Sequence, residues 1–136
     1  MTRGPTDGSF KCSIVPWLSV RKSAQAVEFY KSAFGATEVY RLDGGEKGVV
    51  ARLSIDGAEF WLSEESPEHG NFSPESVSGN PVRMILTVAD PDAVFARARN
   101  AGASEIFPVS EGHGWRIGRV VDPFGHHWEI GRPLAA

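Results

Sequence analysis

Apolar positions recur along the chain with two periods, one of strands and one of helices. Ser13–Val20 is β-branched and apolar and predicts a strand. Over Ala24–Phe34 the apolar residues Ala26, Val27, Phe29, Tyr30, Ala33 and Phe34 fall at helical spacing, with Ser23 as the expected cap. Gly35 ends that helix, because glycine tolerates the left-handed conformation of a helix stop. Three strands are predicted next, at Thr37–Leu42, Val49–Ile55 and Glu59–Ser63, with turns at Asp43-Gly44-Gly45 and Asp56-Gly57. Glu64–Pro81 is rich in Ser, Pro, Glu, Gly and Asn and reads as a linker or surface loop.

The same order then returns. Val82–Val88 predicts a strand, and Asp90 caps a helix that has Pro91 in its first turn, a favoured place for proline. That helix runs to Ala101 and stops at Gly102. Strands follow at Ser104–Val109, Trp115–Val121 and His127–Ile130, the last reached through Asp122-Pro123-Phe124-Gly125.

The return is a repeat in sequence as well as in pattern. Leu18-Ser19-Val20 falls on Leu86-Thr87-Val88, an offset of 86 − 18 = 68. Gly35-Ala36-Thr37-Glu38-Val39-Tyr40 falls on Gly102-Ala103-Ser104-Glu105-Ile106-Phe107, an offset of 102 − 35 = 67. Phe60-Trp61-Leu62 falls on Trp128-Glu129-Ile130, again at 128 − 60 = 68. A one-residue gap accounts for the change of offset. The fold class is therefore α+β, built of two tandem βαβββ modules over 12–64 and 82–132. A leader over 1–11, a linker over 65–81 and a tail over 133–136 complete the chain.

Composition narrows the function classes. With 136 residues, 41% hydrophobic and 23% charged, the chain suits one globular domain. A net charge of −3 argues against a nucleic-acid partner and gives no support for a basic membrane anchor. No apolar run is long enough to span a bilayer. Met1–Lys11 has no apolar stretch of a signal peptide and reads as a loose leader. Cys12 is the single cysteine, so no intrachain disulfide is available and a cytoplasmic location is expected.

The text Ala26-Val27-Glu28-Phe29-Tyr30 with Phe34-Gly35-Ala36, together with Asp122-Pro123-Phe124-Gly125-His126 and Glu129, resembles the vicinal oxygen chelate superfamily. That superfamily includes glyoxalase I, bleomycin-resistance proteins, fosfomycin-resistance enzymes and extradiol dioxygenases. The resemblance covers residues 13–131. It implies that each module curls into a half-open barrel and that paired modules enclose a cleft. It also implies a homodimer, since in many members the facing modules come from different chains.

Metal-dependent members carry ligands on the first and last strands of each module, typically His and Glu around a divalent ion. By motif alignment those positions here are Val15, Trp61, Arg83 and Glu129. Only Glu129 can be a ligand: valine and tryptophan offer no usable lone pair, and arginine stays protonated. The expectation is therefore no family metal and no cofactor. His127 and Glu129 alternate onto one strand face, but no third ligand stands at a recognisable spacing. His69, His113 and His126 fall in loops or strand ends and form no recognisable catalytic pattern.

Strand alternation lists the cleft face. If Val15 and Trp61 face in, so do Trp17, Ser19, Glu59 and Ser63; Arg83 brings Ile85 and Thr87, and Glu129 brings His127. Leu18, Val20, Phe60, Leu62, Met84, Leu86, Val88, Trp128 and Ile130 then face the helices, an apolar set as a core requires. A cleft with Trp17, Trp61, Arg83, Ile85, His127 and Glu129 suits a small, partly aromatic or anionic ligand. Arg83 and Glu129 are expected to pair, either as a structural filling of the vacated metal site or as an anion-binding group. Trp115, Arg116 and Arg119 are either a lid or rim of the cleft or an ordinary exposed strand end, and Glu64, Glu65 and Glu68 read as a solvated acidic loop. Three functions stay open: a metal-independent small-molecule binder, a lyase, isomerase or dioxygenase using a base such as Glu129 or Glu59, and an interaction protein with a vestigial cleft.

Overall fold

The computed structural model describes residues 11–135, so all of the leader over 1–11 except Lys11, and the last residue of the tail, lie outside the described residues. Two four-stranded sheets carry one helix each. The first module runs β1 (Trp17–Val20), α1 (Ser23–Phe34), β2 (Thr37–Asp43), β3 (Val49–Ile55) and β4 (Ala58–Glu64). The second runs β5 (Arg83–Thr87), α2 (Pro91–Ala101), β6 (Ser104–Gly112), β7 (Trp115–Val121) and β8 (His127–Pro133). Strand order is β1-β4-β3-β2 in one sheet and β5-β8-β7-β6 in the other. The first and last strands of each module pair parallel, which the crossover through the helix permits, and the remaining pairs are antiparallel hairpins.

Each sheet has one face on the core. β3 alternates buried and half-buried residues along its whole length, placing Val49, Ala51, Leu53 and Ile55 inside. The residues expected to face the helices do so: Leu18, Val20, Phe60, Leu62, Leu86, Trp128 and Ile130 are buried, and Met84 and Val88 pack against them. α1 lies between both sheets. The Tyr30 ring meets Phe60 of β4 at 5.3 Å and Trp128 of β8 at 5.5 Å, so one core serves both modules. α1 ends at Gly35 with φ 70°, and Gly35 and Ala36 donate to the carbonyls of Lys31 and Tyr30. α2 begins as expected, with Asp90 accepting from the Ala93 amide.

Three local expectations are corrected. β1 starts at Trp17 instead of Ser13, because Pro16 has no N–H to donate; the ladder opens with its carbonyl accepting from the Trp61 amide. Val15 therefore precedes the strand. Ser23 does not cap α1 but is its first residue, buried, giving its hydroxyl to Glu64 and accepting from the Val49 amide. Glu64 and Glu65 are half-buried organisers of the linker, not a solvated run: Glu64 accepts from Ser23, and Glu65 accepts from the Ser73 amide and the Ser76 hydroxyl. Only Glu68 of that run is fully exposed.

Candidate functional site

The faces turned away from the core carry the unusual chemistry. Cross-strand pairing sets Tyr40, Arg52, Trp61 and Trp17 in one row across the first sheet. The same pairing sets Phe107, Arg119, Glu129 and Ile85 in one row across the second. The rows are copies of each other, at offsets 107 − 40 = 67, 119 − 52 = 67, 129 − 61 = 68 and 85 − 17 = 68. The duplication has kept an aromatic on the outer strand and an arginine on the next one.

In the first row the Trp17 and Trp61 rings stack with centroids 5.1 Å apart and planes 8° from parallel. Trp17 is fixed by its indole N–H, which donates to Ser63 Oγ at 2.8 Å. Arg52 lies over the Trp61 ring at 5.4 Å and reaches Glu59 at 2.5 Å. The Tyr40 ring closes the cluster at 5.7 Å from Trp61. Ring pairs and a guanidinium over a ring each stabilise by about 0.5–1.5 kcal/mol. The cluster is therefore held in place although Trp17 remains 55% exposed.

In the second row two guanidiniums converge on one carboxylate oxygen. Arg83 Nε donates to Glu129 Oε2, and Arg119 donates to the same oxygen at 3.1 Å. The expected Arg83–Glu129 pair is thus present, with Arg119 added to it. Arg119 also lies over the Phe107 ring at 5.3 Å. Two atoms of this cluster are enclosed without a partner, Arg119 Nε and His127 Nδ1. An unpaired enclosed polar atom costs about 1–3 kcal/mol. His127 has its pKa lowered by burial first and by the nearby Arg119 guanidinium second.

Beside this row lies an apolar hollow of about 330 Å³, walled by Ile85, Gly112, His113, Trp115 and Ile117. Its floor depends on Gly131. A Cβ there would stand 2.7 Å from the Ile117 side chain and 2.6 Å from the Arg116 carbonyl, so only glycine lets Ile117 lie across β8. The hairpin end Gly112–Trp115 therefore borders a hollow and is not a plain strand end. Arg116 has no part in it, since its guanidinium is bound to Asp92 at 2.8 Å. Arg119, grouped with it by sequence, sits in mid-strand on the site face.

The two rows remain separate clusters within one chain. No hydrogen bond, ion pair or ring contact joins Trp17 and Trp61 to Arg83 and Glu129 among the described residues. A cavity of about 190 Å³ between β4 and β5 takes in Glu59 and Ile85 but neither Trp61 nor Glu129. Both faces keep large apolar groups in the open, with Trp17 55% exposed on the first and Ile85 62% and Phe107 57% on the second.

The four positions aligned with the family's metal ligands do not fit a cation. Val15 lies outside the strand, Trp61 is stacked on Trp17, and Glu129 is bound by two guanidiniums. The remaining histidines are placed elsewhere. His126 is buried with Nε2 at 2.9 Å from the Ser19 carbonyl, where it ties β8 to β1; His69 pairs with Ser66, and His113 occupies a turn at φ 53°. Among the described residues no group of three or more His, Cys, Asp or Glu side chains could hold an ion.

Sequence reasoning missed Arg52, the site role of Arg119, and the rows' outer aromatics Tyr40 and Phe107. The alternation rule would have found them had it been applied to the inner strands β3 and β7 as well as to the first and last strands.

Fold and faces together define a vicinal oxygen chelate protein. Residues 17–131 match the family model of the glyoxalase-like domain, and the chain belongs to that family. An uncharacterized protein of Mycobacterium bovis is 40% identical over 127 residues, covering 90% of this chain and 84% of the relative. The solved structure of an Arabidopsis thaliana gene product is 32% identical, with a TM-score of 0.66 over 88% of this chain and 96% of that one. FosX, a fosfomycin resistance protein of Listeria monocytogenes solved with Mn(II) and a dihydroxypropylphosphonic acid, has a TM-score of 0.70 at 15% identity, covering 92% of each chain. That likeness speaks for the fold alone.

Proposed function

We propose that this protein binds a small, partly aromatic or anionic molecule without the family metal, in a cleft that a second copy completes. The observation that carries the reading is the pair of duplicated open-face rows. One offers stacked indoles and the other a pair of guanidiniums, and Trp61, Arg83 and Glu129 among them stand at positions that motif alignment assigns to the family's metal ligands. Arginine supplies fixed positive charge and a planar donor fork, which suits a carboxylate or phosphonate. Stacked indoles suit a planar ring. Catalysis by Glu129 as a base is less well supported, because its charge is engaged by Arg83 and Arg119. We place the protein in the cytoplasm, a reducing compartment that suits the free Cys12. No helix among the described residues is long and apolar enough to cross a membrane.

The test is a thermal-shift screen of the metal-free protein against neutral and acidic aromatic compounds, with elemental analysis of the purified sample. A ligand at a hundred times its Kd raises stability by about 2.7 kcal/mol, which a melting curve resolves. Stabilisation by aromatic compounds that Trp61→Ala removes, in protein free of stoichiometric metal, is the expected result. Binding that appears only after a divalent ion is added would overturn the proposal.

A further inference from the structure

We propose that the open face of the second module takes an aromatic monoanion, with its ring in the Ile85–Trp115–Ile117 hollow and its acidic group on Arg83 beside Arg119, and that Glu129 sets the ligand's charge. This rests on the small-molecule reading above and narrows its ligand class. Three observations carry it. The hollow, at about 330 Å³, is larger than the roughly 150 Å³ that suffices for benzene, and its named side walls are mostly apolar. Ile85 belongs both to the hollow and to the row that pairs it with Glu129, so ring and charge sites share a wall. Arg83, with its side chain 52% exposed, presents a guanidinium on the same face, bound through Nε to Glu129.

Charge counting gives the ligand class. Arg83 and Arg119 contribute two positive charges, and Glu129 binds both through one oxygen, leaving 2 − 1 = +1. His127 lies beside them with its pKa lowered by burial and by Arg119. The guanidinium of Arg83 is the one free to turn. Its side chain is 52% exposed, and among the described residues its only ion pair is to Glu129. Arg119 is more enclosed and clamped between Glu129 and Phe107, so it keeps the carboxylate neutralised while Arg83 receives the guest. A single anionic group then balances the site. A second negative charge meets Glu129 unscreened, and a neutral ring leaves the cationic excess unmatched.

The test compares three probes of one ring size by titration calorimetry at pH 8: benzamide, benzoate and phenyl phosphate, carrying no, one and two negative charges. Wild type is expected to bind benzoate roughly tenfold more tightly than either other probe. Glu129→Gln, isosteric and one charge more positive, is expected to reverse the order of benzoate and phenyl phosphate. Arg83→Ala, at an exposed position away from the core, is expected to bring benzoate down to benzamide, and it keeps the test alive if the Gln variant fails to fold. Equal binding of benzamide and benzoate by wild type would overturn the charge assignment while leaving an aromatic cleft in place. So would silence from all three probes where other aromatics stabilise the protein. Silence from both sets would overturn this inference together with the reading it rests on.

Discussion

The hydroxyl of Tyr30 donates to Asp122 Oδ2 at 2.5 Å, joining the first helix to the last hairpin across 92 positions of sequence. The same oxygen accepts from the Trp128 indole at 2.9 Å, and Oδ1 accepts from the amides of Phe124 and His126 at 2.9 and 3.0 Å. Asp122 is buried, and every lone-pair direction it has is directed at a donor. The aspartate that opens the Asp-Pro-Phe-Gly turn is thus also a polar tie between the two modules.

Removing that tie has a size that can be bounded. Asp122→Ala leaves two side-chain donors and two amides in the core without an acceptor. Each costs about 1–3 kcal/mol, so a loss of at least ~3 kcal/mol is expected, a large share of a typical domain's 5–15. Tyr30→Phe removes one donor and keeps the ring, for an expected loss of about 1–2 kcal/mol. Urea denaturation followed by fluorescence measures both. A Tyr30→Phe protein as stable as wild type would show that the tie contributes nothing.

The same contact gives an alkaline prediction. The Tyr30 pKa is raised well above its ordinary value, by burial first and by the Asp122 charge second. A group whose folded pKa lies above its unfolded one stabilises fully below the unfolded pKa and loses that contribution as pH rises toward the folded pKa. For tyrosine the loss begins near pH 10. Unfolding free energy should fall from about pH 10 upward, and Tyr30→Phe should flatten the fall. An unchanged slope in the variant would count against the assignment.

Much of this architecture was legible in the residues. Helical spacing and glycine stops fixed α1 and α2, and β-branched runs with a period of two fixed β3 and β7 to the residue. Motif spacing located the Arg83–Glu129 pair. What stayed hidden depended on contacts between side chains of different elements. Ser23 looks like a cap until Glu64, 41 positions on, takes its hydroxyl. The polar text of the linker gives no sign that Glu65 gathers Ser73 and Ser76 around itself. A guanidinium on an inner strand, such as Arg52, looks like a solvated charge until the row shows it lying over Trp61.

His127 gives a titration that can be followed at one residue. Its pKa is lowered, by burial first and by Arg119 second. A histidine with a depressed pKa contributes stability that is present above its unfolded value, near pH 6.5, and is lost as pH falls below it. Nuclear magnetic resonance should place the imidazole midpoint under about 6.5. Arg119→Leu should raise it only in part, because burial is the larger cause. Full recovery in the variant would mean that the guanidinium, not the enclosure, governs the ring.

The last prediction concerns the second copy. Trp17, Tyr40, Leu42, Ile85 and Phe107 stand on the open faces with about half or more of each exposed, Leu42 at 54% among them. Large apolar groups left open on both faces are a mark of interaction sites. The first row is rich in rings and the second in guanidiniums, so one copy's first module complements another's second module. A closed pair related by a two-fold axis uses both combinations at once and leaves neither face open. Sedimentation should therefore find a dimer. Placing a charge in each face, as Tyr40→Asp with Phe107→Asp, should shift the protein toward monomer without unfolding it, since neither residue belongs to the core. On the proposal that a second copy completes the cleft, the same double variant should lose stabilisation by ligands that stack on Trp61. A monomer that still bound ligand with wild-type affinity would show that one module's face is sufficient by itself.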